Sequence, residues 1–240
     1  MKVLAFNSSP RMEKGNTALI LLPFLDGMRE AGAEVELFYI KKLDINPCLG
    51  CFSCWLRTPG ECVQKDDMQQ IVPKMREADI VVYATPVYSH GMTGQLKNLI
   101  DRMVSIASPF VEVVDGRTRH LPAEGEKGHQ TVLVANCGLW GMENFDPLLA
   151  HIHAMTKDPP SEFAGALLRP HGEALRAMLK MGAPVNDVVE AAKDAGRQLV
   201  RNGKISLETL DTVSRELLPI DTCVQMVNGQ FQKVIDQKKK

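Results

Sequence analysis

Apolar and polar positions alternate in blocks along this chain, and the period of the blocks changes from one to the next. Residues 2–6 are a short apolar run that empties into a Ser/Pro/Gly/Asn loop. Residues 17–31 repeat at helical spacing, with Leu19, Leu22, Leu25 and Met28 on one face. Residues 33–40 alternate through Val35, Leu37 and Tyr39, a strand pattern. Asp66 and Asp67 then open a helix that carries Met68, Ile71, Met75 and Ala78, acidic residues in a first turn being favoured by the helix dipole. The continuous run at 79–85 is that of a strand buried on both faces. A helix over 94–103 turns Leu96, Leu99, Ile100 and Met103 inward; a fourth strand follows at 131–135, a helix at 144–155 and a fifth strand at 163–168.

Strands alternating with helices imply a parallel sheet covered on both faces. Five of them fit an α/β doubly wound sheet of flavodoxin type, order 2-1-3-4-5, whose ligand crevice lies at the carboxyl ends of the strands. Two segments fall outside that unit. Residues 104–128 are an excursion too long for a plain connector, with Ser108-Pro109-Phe110 and Asp115-Gly116-Arg117 inside it. Residues 170–240 add mostly helix, strongly amphipathic over 185–202 and stopping at Gly203, with a shorter helix over 206–217. The chain therefore divides into a sheet domain, 1–169, and a C-terminal helical extension, 170–240, packed on it.

Charge narrows the partners. Lys and Arg number 28 against 29 Asp and Glu, so there is no long-range field to hold nucleic acid or an anionic membrane. Lys238-Lys239-Lys240 is read as a frayed, solvated tail. The apolar run after Met1 is too short for a signal-peptide core, and no stretch approaches the ~20 apolar residues that span a bilayer. A cytoplasmic protein is expected, in which clustered cysteines bind metal or do redox work more often than they form structural disulfides.

Three loops leave strand ends at one edge of the sheet. Asn7-Ser8-Ser9-Pro10-Arg11-Met12-Glu13-Lys14-Gly15-Asn16-Thr17 offers hydroxyls, a glycine, an arginine and a helix N-terminus, the requirements of a phosphate monoester. An ordinary helix start with Asn16 or Thr17 as N-cap uses the same residues, and neither a dinucleotide fingerprint nor a Walker loop matches. Thr85-Pro86-Val87-Tyr88-Ser89-His90-Gly91-Met92 can run along the edge of a flat heterocycle or be a plain strand-to-helix turn, with His90 facing solvent. In Asn136-Cys137-Gly138-Leu139-Trp140-Gly141, Gly138 permits close approach and Trp140 either stacks on a ring or fills a gap. Together the three point to one ligand with a phosphate and a planar ring.

Ser8-Ser9-Pro10-Arg11, Gly15-Asn16-Thr17, the cysteine loop followed by Asp66-Asp67, and Thr85-Pro86-Val87-Tyr88 with Gly94-Gln95-Leu96-Lys97 and Asp101-Arg102 resemble the NADPH-dependent FMN reductase and iron–sulfur flavoprotein branch of the flavodoxin-like superfamily. The resemblance covers roughly residues 1–165. It implies FMN at a subunit interface of a homodimer or homotetramer, the phosphate on Ser8, Ser9, Arg11, Asn16 and Thr17, and the ring edge on Pro86, Val87 and Tyr88. Cys137, Gly138, Leu139 and Trp140 would close over the ring. NAD(P)H would deliver electrons and a small-molecule acceptor would remove them at the same face, with ping-pong kinetics; no catalytic acid or base is named. A flavin-binding carrier or regulatory module without turnover is the alternative, though such carriers tend to be strongly acidic and this chain is near neutral.

Four of the six cysteines, Cys48, Cys51, Cys54 and Cys62, fall in a C-x2-C-x2-C-x7-C pattern. Under the resemblance they hold a [4Fe–4S] cluster. Redox-labile thiols without a cluster and a structural zinc site are the other two readings; overlapping C-x2-C pairs suit a cubane better than a tetrahedral clip. Cys137 and Cys223 are expected as buried free thiols.

Overall fold

A computed structural model describes residues 1–122 and 125–238; of the lysine cluster at the end of the chain, Lys239 and Lys240 lie outside the described residues, as do Ala123 and Glu124 of the excursion. In chain order the elements are β1 (Lys2–Asn7), α1 (Ala18–Glu30), β2 (Glu34–Tyr39), the short α2 (Ser53–Leu56), α3 (Met68–Glu77), β3 (Ile80–Pro86), α4 (Gly94–Arg102), β4 (Val111–Val114), β5 (Arg117–His120), β6 (Gln130–Asn136), α5 (Asp146–Met155), β7 (Glu162–Arg169), α6 (Gly172–Lys180), α7 (Asn186–Asn202), α8 (Leu207–Ser214) and α9 (Ile220–Gln237). The main sheet is parallel, in the order β2-β1-β3-β6-β7. With the β4/β5 hairpin set aside, that is the expected order 2-1-3-4-5.

Period-two alternation builds a core on each face of the sheet. Val3, Ala5, Ile80, Val82, Val132 and Val134 face α1 and α7, whereas Leu4, Phe6, Val81, Tyr83, Leu133 and Ala135 face α3, α4 and α5. The excursion is not shapeless. Val111 pairs with His120 and Val114 with Arg117, and the two-residue turn between the strands places Asp115 and Gly116 at φ 51° and 73°, the left-handed pair that matches hairpin twist.

The C-terminal region packs where the last helix of such a sheet belongs. α7 lies against α1 so closely that the chains meet backbone to backbone: a methyl on Gly27 would overlap the Lys193 carbonyl, and one on Gly196 would overlap the Phe24 carbonyl. Alanine favours a helix over glycine by about 1 kcal/mol, so only this contact makes Gly196→Ala harmful. It is expected to lower the unfolding free energy by about 2–3 kcal/mol, seen as a reduced urea midpoint at unchanged slope.

α6 and α9 were not separable in the residue pattern. α9 is long, and its Val224, Val227, Phe231 and Val234 are all exposed. Among the described residues no helix is long and apolar enough to cross a membrane.

Candidate functional site

Because the strands are parallel, β1, β3, β6 and β7 all deliver their following loops to one edge. The first loop is folded on itself. The Ser9 N–H donates to Asn7 Oδ1 (2.9 Å), the Ser8 hydroxyl donates to the Ala84 carbonyl (3.0 Å), and the Arg11 N–H reaches Ser9 Oγ at 3.4 Å. Gly15 is packed closely here: a methyl would displace Ser9 Oγ and come within 3.2 Å of the Met12 carbonyl and Ser9 Cβ. Thr17 is the N-cap of α1, as at an ordinary helix start, but its side chain makes no capping bond. Its hydroxyl instead donates to Asn136 Oδ1 at the end of β6 (2.5 Å).

Asn7, Ser8, Ser9, Asn16 and Thr17 are all buried. Among the described residues no acceptor faces the backbone N–H of Asn16 or Thr17, and the buried Asn7 Nδ2 has no partner either. Unpaired donors at a helix N-terminus, ringed by hydroxyls, fit a phosphate monoester.

The second loop is fixed beside the third by Val87 N–H donating to the Asn136 carbonyl (2.8 Å). Tyr88 and Gly91 exchange a reciprocal pair of backbone bonds, both 2.9 Å, around Ser89 and His90, which sit at φ 47° and 62°. Two consecutive non-glycine residues in the left-handed region are strained, a condition found at ligand clamps. The turn leaves Tyr88 52% exposed.

In the third loop Cys137 is buried, and burial pushes its thiol up. Gly138 has open space beside it and Leu139 is 60% exposed. Tyr88 and Leu139 thus present apolar surface at one rim, with the polar donors of the first loop on the same edge: the two halves of a phosphorylated planar ligand.

After β7 the chain makes a strand-to-helix turn that packs into the edge: the His171 N–H donates to the Leu139 carbonyl (2.8 Å) and the Gly172 N–H to the Cys137 carbonyl (2.9 Å). Trp140 is turned towards this segment. Its indole stacks on His171 with centroids 6.3 Å apart, and Nε1 donates to the Leu218 carbonyl (2.9 Å).

α6 then crosses the first loop. Arg11 pairs with Glu173 (2.9 Å), and Arg176 Nε donates to Asn16 Oδ1 (2.5 Å). Burial pushes the Glu173 carboxyl up, but hydrogen bonds from Arg11 and Asn16 outweigh it and hold it below the usual carboxylate range. Neither Glu173 nor Arg176 was visible as a site residue, being more than 150 positions from the loop they touch; the Pro170-His171-Gly172 break was the only local signal.

Cys48, Cys51, Cys54 and Cys62 line one cavity of about 380 Å³, together with Arg102, Phe52 and Val104. All are free thiols, as are the buried Cys137 and Cys223. A hydrogen bond to Ser53 lowers the Cys51 thiol, whereas burial, then its neighbour Cys62, raises Cys54. Among the described residues no three His, Cys, Asp or Glu side chains are grouped to hold one ion. A four-iron cubane needs its four sulfurs around a larger body than a single ion, so four cysteines lining one cavity suit it better than zinc. The loop is braced by Trp55, whose Nε1 donates to the carbonyls of Val104 (3.0 Å) and Ala107 (2.9 Å). Beneath it, Arg102 and Asp66 form an ion pair whose side chains are 1% and 0% exposed.

Several known proteins resemble this chain. The family model described as NADPH-dependent FMN reductase matches residues 1–120. An iron–sulfur flavoprotein of Archaeoglobus fulgidus is 42% identical over 102 residues, covering 42% of this chain and 48% of that protein. One of Methanocaldococcus jannaschii is 41% identical over 102 residues, 42% of this chain and 51% of the relative. The chain thus spans about half the length of the relatives it matches. Among solved structures, an FMN-dependent NADH-azoreductase from Bacillus anthracis in complex with FMN superimposes with a TM-score of 0.59 at 14% identity, over 83% of this chain and 99% of that one. An NAD(P)H:quinone oxidoreductase from Methanothermobacter marburgensis gives 0.56 at 14% identity, over 83% and 96%. At such identities the likeness speaks to the fold, which is flavodoxin-like; with half the chain matched by the family model, this chain belongs to the NADPH-dependent FMN reductase family.

Proposed function

We propose that the protein is a cytoplasmic FMN-dependent oxidoreductase that takes electrons from NAD(P)H and passes them to a small acceptor such as a quinone, a nitro compound or a metal. The observation that carries this reading is the meeting of unpaired buried donors at Asn16 and Thr17 with the apolar rim of Tyr88 and Leu139 on one sheet edge. FMN supplies the hydride and single-electron chemistry when bound.

The chain's own residues bind and orient. The Ser8 and Thr17 hydroxyls, which donate to the Ala84 carbonyl and to Asn136 Oδ1, would shape the pocket, while the N–H groups of Asn16 and Thr17 and the Ser9 hydroxyl would hold the phosphate, with Arg11 released from Glu173. That release costs little, because the pair is solvent-exposed. Pro86, Val87 and Tyr88 would offer backbone groups to the ring edge, and the open space at Gly138 would let the ring approach the third loop. A second copy of the chain, as homodimer or homotetramer, would cover the exposed Tyr88 and Leu139 and exclude water. No side chain at this rim is needed as an acid or base.

Steady-state oxidation of NAD(P)H by the FMN-loaded protein tests the reading. Donor and acceptor sharing one face should give parallel double-reciprocal lines as the acceptor is varied. Absence of turnover with quinone, nitroaromatic and ferric acceptors would leave a non-catalytic flavin module.

A second reading concerns the cysteine cavity, and the four cysteines that line it favour it. They would hold a [4Fe–4S] cluster, adding a one-electron centre that would make the protein an electron carrier; the relatives it matches bear the name iron–sulfur flavoprotein. Protein purified without oxygen should then contain about four irons per chain. Cys54→Ala should lose the iron and keep the flavin. An iron-free wild type would assign the four cysteines to redox-labile thiol chemistry instead.

A further inference from the structure

We infer that Arg176, on α6 and outside the residues the family model matches, is a ligand of the FMN phosphate, so that the C-terminal extension completes the cofactor site rather than merely packing on the sheet. The inference rests on the FMN reading of the first loop.

A phosphate monoester is close to a dianion at neutral pH. Of the loop's two cations, Lys14 is exposed next to Glu13, and Arg11 is paired with Glu173 at 2.9 Å; each has a carboxylate beside it, so even an Arg11 turned to the phosphate brings no net charge to the loop. Lys41 is also near, but its Nζ donates to the Pro10 carbonyl at 3.0 Å. Arg176 is the cation whose side chain touches Asn16, one of the two residues with an unpaired backbone N–H.

The geometry is more specific than proximity. Arg176 Nε is occupied by Asn16 Oδ1 at 2.5 Å, which fixes the plane of the guanidinium against the loop. Its Nη2 is buried and has no partner. A buried donor on a charged group seldom goes unpaired, because its desolvation is then uncompensated. An anion oxygen at the Asn16–Thr17 N–H groups would supply the missing acceptor. Arginine alone can serve both tasks at once, since its fork presents several donors in a plane, one to orient and others to bind.

The fold explains why this arginine can be there. Gly172 lies against Asn16 and Asn136: a methyl at Gly172 would come within 3.0 Å of Asn136 Nδ2 and 3.5 Å of Asn16 Cβ. The close approach lets α6 begin directly on the loop, and Arg176 follows Gly172 by one turn of helix.

The test uses the full chain stripped of flavin and titrated with FMN and with riboflavin, which has the same ring but no phosphate. Wild type should bind FMN more tightly than riboflavin. Arg176→Met should weaken FMN about 10–100-fold, the effect of losing one charge-assisted hydrogen bond, and leave riboflavin binding within about two-fold. Arg176→Lys should recover only part of the loss. Equal weakening of FMN and riboflavin, or no change in either, would overturn the inference while leaving the FMN reading intact. A wild type that binds neither flavin would overturn both. Should Arg176→Met fail to fold, Arg176→Gln, whose amide can still donate to Asn16, carries the same comparison.

Discussion

Asp66→Ala is expected to destabilise the protein by about 3–5 kcal/mol, the cost of leaving one partner of a buried ion pair uncompensated. Arg102 Nη1 reaches Asp66 Oδ2 at 2.5 Å and Nη2 reaches Oδ1 at 3.0 Å, a two-pronged contact with both side chains out of water. The same carboxylate accepts the N–H of Asn46 and of Met68, both at 3.1 Å, and Arg102 Nη1 also donates to the Asn46 carbonyl at 2.8 Å. One pair therefore ties the start of α3, the end of α4 and the entry to the cysteine loop. Burial raises the Asp66 carboxyl, but the bonds from Arg102 and the backbone outweigh it and hold it below the usual carboxylate range. Its contribution is thus present above the unfolded-state value of about 4 and is lost as pH falls through the lower folded value. Urea unfolding of wild type and Asp66→Ala at neutral pH measures the difference. Replacing both partners, Asp66→Leu with Arg102→Met, should recover much of it; a single variant as stable as wild type would contradict the assignment.

Stability should also fall by up to about 3 kcal/mol between pH 6.5 and 4, because His171 is held neutral in the fold. Its folded value is lowered to about 4 by burial, and next by the charge of Arg169. The bonds account for the sign. Nε2 stands 3.1 Å from the Leu217 N–H and 3.2 Å from Arg169 Nη2, two donors, while Nδ1 stands 3.3 Å from the Trp140 carbonyl. Those partners fix the tautomer with its proton on Nδ1. A second proton on Nε2 would face two donors. The unfolded chain takes up that proton near pH 6.5 and the folded one does not, so acidification favours unfolding until both states are protonated. His129, lowered by burial and then by Lys127, adds a slope of the same sign. His171→Asn, which also tolerates the left-handed φ of 39° at this position, isolates the His171 part. It should be less stable than wild type at pH 7 and show a flatter decline towards pH 4; an unchanged slope would contradict the assignment.

His171 and Arg169 also show where sequence reading stopped. Apolar runs at β1, β3 and β6 were legible because strands buried on both faces are apolar over most of their length, with buried polar residues such as Asn7, Thr85 and Asn136 at the ends that feed the loops. Ser9, Asn16 and Thr17 could be named because their chemistry sits in one short segment. The hairpin carried its own signal in Asp115-Gly116, but four-residue strands with exposed Val111 and Val113 do not stand out from a loop. The C-terminal partners of the site were beyond reach for a different reason. Arg169 is fully buried, donating to the carbonyls of Val213, Ser214 and Arg215, at 2.7, 3.2 and 2.6 Å. Those contacts span more than forty residues, and only the tertiary fold pairs them. Trp140, expected near a ring, is anchored to His171 and Leu218, so the third loop and the C-terminal region hold each other.

The central claim is a flavin at the sheet edge that NAD(P)H can reach, and its most direct measurement is anaerobic. Protein loaded with FMN and freed of excess is mixed with one equivalent of NAD(P)H, and the visible flavin absorbance is followed. The account predicts that the band bleaches with one NAD(P)H consumed per FMN and returns when a quinone is added. A protein that retains no FMN, or one whose bound FMN stays oxidised in the presence of both NADH and NADPH, would contradict it.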